Sequence, residues 1–260
     1  MMDIAVIIPC YNHAQTLERA VRSALQQSHV TQIVIVDDLS SDGSAACARG
    51  LCAADPRVQL DVLERNSGPG TARNRGVALA NASHILFLDA DDELVGDFAG
   101  LSARLFEQNP SLIVVKCEVE FFDPIKGYIL PAYDPRHTSA ILSSSCGMVM
   151  ERSRFLHMGG FPQGAEFRGP MGGEDVAFMQ AVMAHFQPIA RVEQVGYRVW
   201  SRPGSHLDKF LALTRLNAAG SFEYVPDKAR QIEADRVAVA VKHYLDNVAL
   251  RLSSTLTNAQ

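Results

Sequence analysis

Four short runs rich in apolar residues recur through the first third of the chain: "DIAVIIP" (3–9), "QIVIVDD" (32–38), "VQLDVL" (58–63) and "HILFLD" (84–89). The first two, short and nearly all apolar, read as strands covered on both faces, and "VQLDVL" and "HILFLD" read as a third and a fourth strand. The stretches between them have helical character. "AQTLERAVRSALQQS" places Leu17, Ala20, Val21, Ala24 and Leu25 at helical spacing. "SAACARGLCAA" follows the turn "SSDG", and "TARNRGVALANA" precedes the fourth run. Strands and helices alternating in units of about thirty residues predict a mostly parallel sheet flanked by helices. Ligands of such sheets gather beyond the carboxyl ends of the strands. Pro9, Tyr11 and Asn12, then Asp37 and Asp38, then Asp89 and Asp91 should therefore share one edge.

That edge is acidic. In "HILFLDADDE" an apolar strand runs into Asp89, Asp91, Asp92 and Glu93. Like charges this close need a positive partner. Residues two apart in an extended segment point the same way, so Asp89 and Asp91 can converge. Hard oxygen ligands of that kind suit Mg²⁺ or Mn²⁺, which share their shell with substrate phosphates. A solvated acidic turn is the competing reading of D-A-D alone. "VDDLSSDGS" is rich in turn formers, and "SGPGTARNRG" either ends a loop or lets the backbone approach a nucleotide, with Arg73 or Arg75 near a phosphate.

Beyond residue 110 the pattern changes. "SLIVVKCEVEFF" predicts a longer strand with "KGYILPAY" pairing back onto it, and "SSCGMVMERSRF" a strand entering a short helix. "EDVAFMQAVMAHF" predicts a helix with Glu174 and Asp175 in its first turn, where carboxylates suit the helix dipole. "IARVEQVGYRVW" predicts another strand. From 227 to about 253 an amphipathic helix carries Val237, Val241, Tyr244, Leu245 and Val248 on one side, and docking on the core is its expected role. "HTSAILSSSC" and "EFRGPMGGED" read as mobile loops that close over substrates.

Composition narrows the class. The chain has 260 residues, 47% of them hydrophobic, and a net charge of −5, which argues against a nucleic-acid partner. Five cysteines without a C-x-x-C pair fit a reducing cytosol better than a disulfide framework or a zinc site. No apolar run approaches the roughly eighteen residues of a membrane span, and no signal peptide is apparent. The absence of G-x-G-x-x-G after the first strand argues against a dinucleotide-dependent oxidoreductase.

Taken in order, "VIIPCYN", "IVIVDDLSSDGS", "GPGTARNRGVALANA", "ILFLDADDE" and the later "CGMVMERSRFLHMGGFP" and "GGEDVAF" resemble the family 2 glycosyltransferases. The resemblance implies a GT-A fold over residues 1–205, with a nucleotide-binding half (1–110), an acceptor-binding half (111–205), and a helical extension (206–260) packed on the core. It implies an inverting transferase of polysaccharide biosynthesis that moves a sugar from a nucleoside-diphosphate sugar, commonly a UDP-sugar, to a carbohydrate or lipid-linked acceptor. Pro9 and Tyr11 match the loop that packs on the base. Asp38 matches the aspartate that hydrogen-bonds it, Arg73 a basic residue near the nucleotide, and Asp89 the D-x-D aspartate near the ribose. Asp91 matches the metal ligand and Asp175 the general base. His206 is the candidate for a further metal ligand to Mn²⁺ or Mg²⁺. The chain departs from the family at Leu39, where glycine is frequent. A cytoplasmic protein is expected; contact with the inner face of the membrane and a homodimer stay open. A nucleotide-sugar-binding module without turnover, or a sugar nucleotidyltransferase, are the alternatives.

Overall fold

The computed structural model describes residues 2–168, 172–225 and 228–257. Its first half is a βα repeat. β1 (Ile4–Cys10), β2 (Val30–Asp37), β3 (Val58–Val62) and β4 (His84–Phe87) pair in parallel in the order β3-β2-β1-β4. Every residue of β1 is buried, as expected of a central strand with both faces covered. Pro9 fits there because β4 pairs β1 only as far as Ile7, so a missing N–H beyond that point breaks no bond on that side.

The connecting helices are α1 (Leu17–Leu25), α2 (Ser44–Ala54) and α3 (Pro69–Leu79). Leu17, Ala20, Val21 and Ala24 form the buried stripe of α1, spaced one helical turn apart. α3 lies close against β1. A Cβ at Gly76 would come within 2.5 Å of Ile7 Cγ2, so only glycine admits that approach.

The second half extends the same sheet with mixed polarity. β8 (Met148–Glu151) runs antiparallel to β4 and to β6 (Val114–Asp123). β6 runs parallel to β9 (Ala190–Trp200), and β5 (Glu93–Leu94) closes the edge antiparallel to β9. β7 (Gly127–Tyr128) turns back on β6 as the sequence suggests. The parallel expectation thus describes β1 to β4, whereas β5, β7 and β8 are antiparallel additions.

α4 (Phe98–Gln108), which periodicity did not single out, packs its buried face on the sheet; Asp97 caps it by accepting the Gly100 N–H at 3.1 Å. α5 (Pro135–Leu142) starts on Pro135 with Asp134 as cap and occupies most of the segment expected to be a mobile loop. That expectation is corrected: His137 and Ile141 are buried, and Ser145 is fully so. In the second expected loop, Ala165–Arg168 form a 3₁₀ turn and residues 169–171 lie outside the described residues.

α6 (Arg152–Met158) and α7 (Glu174–His185) cover the sheet on the α3 side. α8 (His206–Leu213), a hairpin of β10 (Thr214–Leu216) and β11 (Phe222–Tyr224), and α9 (Lys228–Thr257) complete the chain. The hairpin was not expected in a helical extension. α9 lies along α6 and α7. It buries Val248 in the core beneath them, and Tyr244 Oη donates to the Gly160 carbonyl at 2.7 Å. Among the described residues, no helix is long and apolar enough to cross a membrane.

Candidate active site

Two acidic groups stand at the carboxyl edge of the parallel strands. The first belongs to β2 and, among the described residues, has no cation within ion-pair distance. Asp38, 3% exposed, accepts the backbone N–H of Ser67 at 2.6 Å and of Gly68 at 2.8 Å, one on each carboxylate oxygen. Asp37 accepts the amide and hydroxyl of Ser40. Leu39 between them adopts φ +60°. This is the left-handed region that glycine enters without penalty, so the leucine here carries a backbone cost that the glycine expected from the resemblance would not. The loop after β1 is tied to the same turn. Asn12 N–H donates to Ser40 Oγ at 2.9 Å, and Asn12 Oδ1 accepts the Ser41 N–H at 2.8 Å. Tyr11 projects from it, 47% exposed. Pro9 is buried within β1, so of this pair Tyr11 is the one open to a ligand.

The second acidic group lies past β4 and answers the charge problem of "LDADDE" residue by residue. Asp89 takes Arg73 Nη2 at 2.7 Å. Asp91 takes Arg202 Nε at 2.9 Å. Glu93 takes Arg198 Nη1 at 2.5 Å. Asp92, 4% exposed, has no cation within ion-pair distance among the described residues. Its oxygens accept the Tyr197 hydroxyl at 3.0 Å and the Trp200 N–H at 2.9 Å. Burial, then the charges of Asp91 and Asp89, push its carboxyl well above the usual carboxylate range. Tyr197 Oη also accepts the Asp89 N–H at 3.0 Å, which ties the turn to β9.

Arg73 is the hub. It rises from α3, 2% exposed, and its guanidinium lies 3.3 Å from Glu174 Oε1 and 3.3 Å from Asp175 Oδ1, in addition to Asp89. The resemblance placed Arg73 near the nucleotide; the structure gives it three carboxylates. Arg75 points elsewhere and forms a bidentate pair with Asp61 on β3. Gly172 and Gly173, at φ +60° and +106°, turn the chain so that the first residues of α7 meet Arg73. Glu174 is nearly buried, and desolvation followed by the charge of Asp175 pushes its carboxyl up to about 7 in spite of Arg73. Asp175 remains 25% exposed, and its Oδ1 accepts the Ser145 hydroxyl at 2.7 Å.

His206, at the start of α8, is exposed and borders the same place. A Cβ built on Gly172 would meet His206 Cε1 at 3.0 Å and Glu174 Oε2 at 3.7 Å. Asp89, Asp92 and Cys146 are the one three-residue group of potential metal ligands among the described residues. Its chemistry suits a cation poorly: Arg73 already occupies Asp89, and burial holds the Cys146 thiol protonated, its pKa well above the ordinary value. Asp91, at 20% side-chain exposure, and His206 are the more open donors. A concavity of about 620 Å³ lined by His84, Phe106, Glu151 and Arg152 opens at the opposite end of β4 and contains none of these groups.

Sequence reasoning missed Ser145, Cys146, Tyr197 and Arg202. They come from β9, from the turn after it and from the segment before β8, and no motif spacing links them to the aspartates.

The sheet order, the strand-end acids and the glycine-led α7 define a nucleotide-sugar transferase fold of the GT-A type. The chain belongs to glycosyl transferase family 2, whose family description "Glycosyl transferase family 2" matches residues 5–140, just over half of it. It is 44% identical over 96 residues to the succinoglycan biosynthesis protein ExoO of Rhizobium meliloti, covering 36% of this chain and 27% of that protein. It is 34% identical over 132 residues to the putative teichuronic acid biosynthesis glycosyltransferase TuaG of Bacillus subtilis, covering 50% and 48%. The chain thus spans between about a quarter and a half of the length of these relatives. Among solved structures, S. aureus TarS 1-349 in complex with UDP-GlcNAc superposes with a TM-score of 0.66 at 20% identity, over 79% of this chain and 60% of that one. Mannosyltransferase PcManGT from Pyrobaculum calidifontis, in complex with GDP-Man and Mn2+, superposes at 0.57 and 18% identity, over 98% and 75%. At these identities the likeness shows the fold.

Proposed function

We propose that the chain is an inverting glycosyltransferase that moves a sugar from a nucleoside-diphosphate sugar, a UDP-sugar in first place, to an acceptor hydroxyl during polysaccharide assembly. The observation that carries this reading is the Arg73 hub. One buried guanidinium brings Asp175 at the start of α7 beside Asp89 at the end of β4. A partly exposed carboxylate therefore stands at the nucleotide-binding edge of the sheet.

In this reading Tyr11 packs on the base. Asp38 holds the Ser67–Gly68 turn beside it and accepts a base N–H on a remaining lone pair. Asp89 faces the ribose side. Ser145 fixes Oδ1 of Asp175, and among the described residues nothing donates to Oδ2. That oxygen takes the proton of the acceptor hydroxyl while the acceptor oxygen attacks the anomeric carbon. The bond from that carbon to the diphosphate breaks, and its electron pair leaves with the diphosphate. One base and one displacement invert the anomeric centre, unlike the two-carboxylate arrangement of retaining hydrolysis.

Asp91 and His206 are the residues that would hold a divalent cation. One carboxylate and one imidazole, completed by diphosphate oxygens, form a donor set acceptable to Mn²⁺ or Mg²⁺. A bound cation supplies positive charge for the departing diphosphate. Arg202, paired with Asp91 and itself 57% exposed, adds a further cation at the same rim. The acceptor, carbohydrate or lipid-linked, enters from the α5–α8 side. We place the protein in the cytoplasm, with any membrane contact peripheral.

The test is nucleoside-diphosphate release from a panel of UDP-, GDP- and dTDP-sugars, with Mn²⁺ and with chelator. Metal-dependent turnover on one donor supports the reading. Tight binding of a nucleotide sugar with no release, across acceptors, would leave a binding module instead.

A further inference from the structure

Lys116, the third residue of β6, is among the largest fully buried side chains of the described residues, 1% exposed. Among the described residues no carboxylate lies within ion-pair distance of it. Its ammonium donates instead to two backbone carbonyls, Ser144 at 2.7 Å and Cys146 at 2.8 Å. These flank Ser145, whose hydroxyl holds Asp175. Cys146 Sγ in turn lies 3.5 Å from Asp89 Oδ2. The next residue, Gly147, accepts the Cys117 N–H at 2.9 Å. The Ser144–Gly147 segment is thus laid across β6 by Lys116 and its neighbour.

We propose that Lys116 is a positioning residue for the reaction: by holding the carbonyls on either side of Ser145, it sets the Ser145 hydroxyl against Asp175 and the Cys146 thiol against Asp89. This rests on the reading of Asp175 as proton acceptor. A buried ammonium with no anion at hydrogen-bond range is a costly way to fix a loop. The arrangement makes sense where the charge itself serves the acids above it. Asp89, Glu174 and Asp175 share a single guanidinium, and Lys116 adds a second cation whose charge is felt with that of Asp175.

The charge is also conditional. Burial brings the Lys116 ammonium down to about 8. The groups that face it are the Cys117 and Cys146 thiols, Asp175 and Arg191. Cys117 is pushed up to about 12 and Cys146 well above its ordinary value, so neither titrates near 8. Glu174, at about 7, titrates below it.

The experiment compares wild type, Lys116→Met, Ser145→Ala, Asp175→Asn and the double variant Lys116→Met/Asp175→Asn. The readout is UDP release from UDP-glucose, UDP-galactose or UDP-N-acetylglucosamine, on whichever donor wild type turns over fastest. Lys116→Met is expected to lower kcat about 10- to 100-fold with donor KM within about twofold. It should also abolish the wild-type decline in kcat as pH rises through about 8. In the Asp175→Asn background it should cause no further loss, because both residues act on one proton transfer.

Wild-type kcat in folded Lys116→Met, or an undiminished loss in the double variant, overturns the proposal. If Lys116→Met does not fold, Ser145→Ala carries the decision: full turnover with an unchanged pH profile overturns it. Full turnover of Asp175→Asn is a separate result. It removes the base assignment and with it the route by which Lys116 is said to act.

Discussion

The acids at the end of β2 and those beyond β4 sit on one sheet edge, yet they are stabilised in different ways. Asp38 is satisfied by two backbone amides from the loop before α3, 29 and 30 positions on, and Asp37 by a serine three residues on. Asp89, Asp91 and Glu93 each take an arginine, from α3, from the turn after β9 and from β9 itself. Amide dipoles hold a carboxylate in place without a charge that must move when an anionic ligand arrives. A guanidinium shared among acids couples distant segments and leaves charge to redistribute. The first arrangement suits a fixed surface for a nucleoside, the second a place where charge changes during a reaction.

Removing the hub should separate the two groups most strongly. Arg73→Met leaves Asp89, Glu174 and Asp175 without their buried partner. Breaking one side of a buried ion pair costs about 3–5 kcal/mol. Urea unfolding should show a loss of that size, whereas a change at the amide-held site should cost less.

Asp175→Asn should lower turnover on the order of 10²–10⁴-fold. Donor affinity and melting temperature should hardly move, since the amide can still accept from Ser145. Full turnover in this variant would make the hub a structural feature.

Asp38→Ala orphans the Ser67 and Gly68 N–H groups, at about 1–3 kcal/mol for an unsatisfied buried donor. UDP affinity by calorimetry should fall together with stability, because the proposed base contact and the turn depend on the same carboxylate. Weakened stability with unchanged UDP affinity would confine Asp38 to the loop.

Glu174 contributes a pH signature. Folded, it keeps its proton up to about 7, against 4.5 for an ordinary glutamate. The folded chain therefore binds more protons across that window, and stability falls as pH rises from 4.5 through 7. The total is on the order of 3 kcal/mol, with a slope limited to ~1.4 kcal/mol per pH unit. Glu174→Gln should flatten this part of the stability profile, while Asp38→Ala should leave it in place.

The smallest effect belongs to Leu39→Gly. It relieves a left-handed backbone at an exposed residue, φ +60° and 48% exposed, and glycine's greater freedom in the unfolded chain offsets part of the gain. A melting-temperature change equivalent to less than about 1 kcal/mol, with UDP binding retained, is expected.

Much of the fold was legible because it is written in local pattern. The apolar-rich runs locate β1 to β4 to within a few residues, although in β3 only Val58 is buried, and "SAACARGLCAA" is α2 from end to end. "EDVAFMQAVMAH" is α7. α4 escaped because its apolar residues are mixed with small ones, and β5, with only Glu93 and Leu94, is too short to show a period. α5 shows no helical period in the sequence because its apolar residues, Ala140, Ile141 and Leu142, cluster at its end.

At the site, the sequence by itself determined which acids stand at the strand ends, since that depends only on where each apolar run stops. Only the tertiary structure decided what each acid meets. Arg73 lies 101 positions from Glu174, and Asp92 lies 105 from Tyr197. Ser145 reaches Asp175 across 30 positions, and Lys116 reaches Cys146 across another 30. No residue-to-residue period spans such separations. The partners are chosen by which strands lie side by side in the order β4-β8-β6-β9, and by the burial that makes every charge there find a partner or change its protonation.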